Sequence, residues 1–63
     1  MTEKGYGSVK AYNGTRIYVE PSGIFPGGVY LDVDTQSIWL PEKETKKLWK
    51  LLKAASEEGL DNG

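Results

Sequence analysis

The stretch Val29-Tyr30-Leu31-Asp32-Val33-Asp34-Thr35-Gln36-Ser37-Ile38-Trp39-Leu40 decides the fold. Alternate residues of a strand point to opposite sheet faces, so Val29, Leu31, Val33, Ile38 and Leu40 line one face. Tyr30 and Trp39 fall on the other, beside Asp32 and Asp34. A face that should be polar instead carries large rings. The turn is expected at Thr35-Gln36, which pairs Val33 with Ile38, Leu31 with Leu40 and Asp32 with Trp39.

Working toward the N-terminus, residues 6–12 and 15–20 are short β-type runs around Asn13-Gly14, a strong hairpin signal. A two-residue turn would split the apolar residues between faces. A three-residue loop, Tyr12-Asn13-Gly14 with Gly14 left-handed in a bulge, pairs Ala11 with Thr15 and Val9 with Ile17. That register gathers Val9, Ala11, Ile17 and Val19 on one side and leaves Tyr6, Lys10, Arg16, Tyr18 and Glu20 on the other. Between the hairpins, residues 21–28 hold two prolines and three glycines and read as a loop. Its Ile24 and Phe25 are expected to fold over an open core edge.

Toward the C-terminus, Leu40-Pro41-Glu42-Lys43-Glu44 marks a helix start, with two carboxylates at the positive end of the helix dipole. Leu48, Leu51, Leu52 and Ala55 form one stripe, and Lys43, Lys46, Lys47, Lys50 and Lys53 cover most of the opposite side. Trp49 lies at the stripe's edge, and Gly59 is the expected C-cap. The reading is α+β: a four-stranded, mainly antiparallel sheet of two β-hairpins with one C-terminal helix packed on one face, ββββα. Residues 1–63 form one small domain, with 1–5 and 60–63 expected as loose termini.

With 63 residues, the chain is near the lower size limit for folding alone. It has no cysteine to form a disulfide. Eight basic and nine acidic residues nearly balance, although the lysines cluster in the helix. No apolar run approaches the roughly 20 residues that span a bilayer, so no membrane partner is expected and a cytoplasmic location is the default.

Histidine and cysteine are both absent, which removes the commonest general base, thiol nucleophiles and the usual transition-metal ligands. Asp32 and Asp34 could contact a hard cation, but read more simply as solubilising groups. The three loop glycines lack the Lys-Ser/Thr of a phosphate loop. No catalytic residue, metal or cofactor is expected, and the chain reads as a non-enzyme.

Tyr and Trp dominate interface hot spots, and bases stack on such rings at about 1–3 kcal/mol each. The leading expectation is a protein-binding module, a small regulator or inhibitor of the kind phages and mobile elements encode. Its partner surface would be Tyr6, Arg16, Tyr18, Tyr30, Asp32 and Trp39. Single-stranded nucleic acid comes second, with Lys10, Arg16, Lys43, Lys46, Lys47, Lys50 and Lys53 as contacts. A homodimer burying the ring face is the third reading.

Ser8-Val9-Lys10, Tyr12, Gly14, Ile17 and Val19, followed by Ile38, Leu40 and the helix with Leu48, resemble the transcriptional coactivator family called positive cofactor four. The resemblance covers residues 8–20 and 37–52. It implies a ββββα unit that dimerises through its helices and binds single-stranded DNA on its sheets, with Lys10 and Arg16 at phosphates and Tyr18 as a stacking platform. The chain departs from the family at Glu20-Pro21 and Asp32-Val33-Asp34, where the family carries basic residues. Acid groups among the rings oppose phosphate binding, which keeps nucleic acid in second place.

Overall fold

The computed structural model describes residues 5–62. Strands β1 (Gly7–Lys10), β2 (Arg16–Pro21), β3 (Val29–Val33) and β4 (Gln36–Leu40) precede one helix, α1 (Glu42–Asn62). The strands form a single sheet in the order β1-β2-β3-β4 with every neighbour antiparallel, so the expected ββββα, α+β architecture is present.

The first hairpin takes the expected register, Val9 opposite Ile17 and Lys10 opposite Arg16. Gly14 has φ 92° and donates its amide to the Ala11 carbonyl at 2.9 Å. The Thr15 amide donates to Asn13 Oδ1 at 3.0 Å, the local bond that makes Asn a turn residue.

The second hairpin differs from expectation. Its turn is Asp34-Thr35, one residue earlier, which sets Val33 opposite Gln36, Leu31 opposite Ile38, Tyr30 opposite Trp39 and Asp32 opposite Ser37. Asp34 takes φ 58°. A left-handed residue is tolerable for Asp and costly for β-branched Thr, which would have held that position in the expected turn. Each residue of β3 changes its partner by two positions, so no side chain changes face.

The loop from residue 22 to 28 closes on itself. Ser22 Oγ accepts the amides of Ile24 and Phe25, each at 3.1 Å, and the Gly28 amide donates to the Phe25 carbonyl at 2.9 Å. Gly28 is buried with its backbone against the Leu40 carbonyl, where a Cβ would have no room. Glu42 lies over Gly27, which has φ 79°. Phe25 is half-buried as expected, but Ile24 stays exposed.

The loop thus braces the β4–α1 junction. At that junction the Thr45 amide donates to the Pro41 carbonyl at 2.9 Å, and Thr45 Oγ1 donates to the Leu40 carbonyl at 3.2 Å. Leaving this braced point, α1 does not lie across the apolar sheet face. Among the described residues its contact with the sheet concentrates on β4. Leu52 is 62% exposed on the helix stripe and Val9 64% exposed on the sheet, and no apolar side chain among the described residues is buried.

The helix also continues through Gly59 to Asn62 instead of capping there. Nothing lies near Gly59 to impose a cap, and one exposed helical glycine costs only about 1 kcal/mol relative to Ala. The expected loose termini are therefore helical at 60–62, while residues 1–4 and 63 lie outside the described residues.

Candidate functional site

The strand registers assemble one continuous ring-bearing face. Ser8 faces Tyr18, Tyr18 faces Asp32, Glu20 faces Tyr30, and Tyr30 faces Trp39, so the same side carries residues from all four strands. The Tyr30 and Trp39 rings sit 5.0 Å apart between centroids and tilt by 49°. That separation lies in the favourable range for aromatic pairs, worth about 0.5–1.5 kcal/mol beyond area burial. The pair joins a ring on β3 to one on β4 across the strand register. Trp39 nevertheless remains 48% exposed.

Ser37 completes this end of the face, its hydroxyl sharing a 3.0 Å hydrogen bond with Tyr30 Oη. Ser37 is absent from the expected site because the expected turn placed it opposite Asp34. Its parity with Trp39 was visible in the sequence, but its nearness to Tyr30 depended on the register.

Tyr18 occupies the middle of the face. Its phenol is held above the ordinary tyrosine range, first by partial burial, then by the nearby Glu20 carboxylate and a hydrogen bond to it, with smaller contributions from Tyr6 and Tyr30. Each of these favours the neutral phenol. Tyr6, 55% exposed and immediately before β1, shares the strand parity of Ser8 and Lys10. Four rings thus run across the sheet from Tyr6 through Tyr18 and Tyr30 to Trp39.

Beside Tyr18, an open concavity of about 430 Å³ is lined by Arg16, Tyr18, Asp32 and Asp34. A guanidinium in the same hollow as two carboxylates weakens the case for a cation there. What the hollow offers is mixed: an acceptor pair, a donor fork and a ring face. Arg16 pairs across the strands with Lys10, so a second cation stands on the ring face at its β1–β2 end.

The helix lysines stand apart from this arrangement. Lys43, Lys46, Lys47, Lys50 and Lys53 are all exposed on α1, which reaches the sheet through β4 rather than through β1 or β2. Lys46 pairs with Glu42 at 3.6 Å, an exposed i,i+4 contact worth a few tenths of a kcal/mol. The Lys53 ammonium lies 5.4 Å from the centre of the Trp49 ring, a cation–π distance. The structure therefore groups Tyr6, Arg16, Tyr18, Tyr30, Asp32, Trp39 and Lys10 on one surface and leaves the helix lysines on another element. Among the described residues, no helix is long and apolar enough to cross a membrane.

Comparison of the chain with protein-family models, with curated proteins and with solved structures finds no match.

Proposed function

We propose that this chain is a non-enzymatic interaction module that binds a protein partner through the ring face of its sheet, acting as a small regulator or inhibitor by occupying the partner's surface. The observation that carries this reading is the preformed Tyr30–Trp39 pair, buttressed by Ser37 and still half open to solvent. A hot spot works by desolvating rigid rings at the centre of a patch, and rings already fixed lose little entropy on docking. Glu20, Asp32 and Asp34 stand around the rings and favour a partner with lysine or arginine at its rim.

The test is affinity capture from the native host with the wild type and with the double variant Tyr30→Ala, Trp39→Ala. A species retained by the wild type and lost by the double variant, whose circular dichroism is unchanged, supports the reading. Equal capture by both proteins removes it.

Lys10 opposite Arg16 on the same face favours a second reading, single-stranded nucleic acid tracked by these cations and stacked on Tyr18, as the resemblance to positive cofactor four implies. Its signature is affinity that falls steeply with salt and with Lys10→Ala or Arg16→Ala. No binding to mixed-sequence single strands at about 50 mM salt, the weakly screened regime, would dismiss it.

A further inference from the structure

The opposite, aliphatic face poses a separate problem. Val9, Ile17, Val19, Leu31 and Ile38 line it in register, and none of them is buried. The helix stripe is equally bare, with Leu51 57% and Leu52 62% exposed. Each of these surfaces is the kind that the other would cover.

The chain as a whole is too open for its size. A compact monomer of 7.0 kDa exposes about 4,000 Å², whereas this chain exposes 5597 Å². The excess is about 1,600 Å² per copy, of which residues 1–4 and 63 can carry at most about 800 Å² even at the full exposure of an unfolded chain. The radius of gyration agrees: 13.1 Å, against about 10.6 Å for a compact domain of this length. Burying the excess in a pair of copies removes about 1,600–3,200 Å² in total, from a standard stable interface to an obligate one.

We propose that two copies form an obligate homodimer in which the Leu48, Leu51, Leu52 and Ala55 stripe of each helix lies across the Val9, Ile17, Val19, Leu31 and Ile38 face of the other copy's sheet. The braced junction at Pro41 directs the helix away from its own sheet, which leaves both surfaces available to a second molecule. A two-fold axis satisfies both copies at once, because every helix-to-sheet contact occurs twice. This dimer uses the face that the partner-binding reading does not, so the rings stay open in it.

Sedimentation of the unmodified protein over a range of concentrations comes first. A dimer persisting to low micromolar concentration is expected, and a monomer throughout overturns the proposal. With no native cysteine, two single variants, Ile38→Cys and Leu52→Cys, can then be mixed, refolded together and oxidised. A mixed Ile38→Cys to Leu52→Cys disulfide is expected. Linkage of Leu52→Cys copies only to each other would mean that the helices pair with helices, and would overturn the arrangement.

Leu51→Glu with Leu52→Glu should raise the dimer dissociation constant at least about 100-fold, given the burial lost from two leucines. Tyr30→Ala with Trp39→Ala should leave it within about threefold. The reverse pattern would place the interface on the rings and overturn the proposal while leaving the partner-binding reading to its own test.

Discussion

The two faces of one sheet share the same strands and the same hydrogen bonds, yet differ in how far each is finished. On the ring face, neighbouring side chains support one another: Tyr30 packs at a tilt against Trp39 and bonds Ser37, and the Glu20 carboxylate beside Tyr18 favours its neutral phenol. On the apolar face, Val9, Ile17, Val19, Leu31 and Ile38 lie among further aliphatic residues such as Val33 and Leu40 and none of them is buried, and aliphatic groups gain little by standing together in water unless something covers them. A face can therefore be ordered without being buried, as the ring face is, whereas an aliphatic face is stable only when roofed. Under the two proposals made above, the surfaces would take different tasks, one for docking and one for assembly.

The sharpest way to break this comparison is a charge at the middle of the aliphatic face. Leu31→Asp puts an unpaired carboxylate where the roof must sit, and is expected to cost 3 kcal/mol or more, about the scale of burying a charge beside lost apolar area, and to abolish cooperative urea unfolding. A well-folded Leu31→Asp monomer would show that this face needs no cover. On the ring face, Tyr30→Ala and Trp39→Ala should each cost about 2 kcal/mol or more in partner affinity, as hot-spot rings do, with little change in urea midpoint. A fall in stability as large as that in affinity would mean the rings serve folding.

Gly28→Ala tests what separates the two surfaces, since a Cβ there collides with the Leu40 carbonyl and disturbs the direction in which the helix leaves. An expected destabilisation of about 2–3 kcal/mol, typical of overpacking, should appear in the unfolding midpoint. The smallest effect concerns Tyr18. Its folded phenol holds its proton more tightly than the unfolded one, so the associated stability is intact below the ordinary tyrosine value near 10 and is lost as pH rises through the folded value. Glu20→Gln should move the phenolate absorbance transition that Tyr18→Phe removes toward lower pH, and an unmoved transition would exclude Glu20 as a cause.

Face assignment was legible in the sequence because it depends only on parity. Alternation along Val29–Val33 and Ser37–Leu40 placed every ring correctly even though the expected turn lay one residue too late. The first hairpin was legible in full, since Asn13-Gly14 and the demand for a common apolar face left one register. The second lacked a glycine to mark its left-handed position, and Asp34 filled that position instead. The direction of the helix was not legible. An apolar stripe states that a helix needs a cover, but the direction in which the helix leaves the sheet depends on Gly27, Gly28, Pro41 and Thr45 acting together at a junction no periodicity describes.

Trp39 stands among the rings of the sheet, while Trp49 stands on the helix under the Lys53 ammonium. With only these two indoles in the chain, each surface carries its own fluorophore. Emission from a Trp49→Phe protein would follow arrivals at the sheet, and emission from a Trp39→Phe protein would follow the covering of the helix, so the two events can be timed separately without attaching a dye.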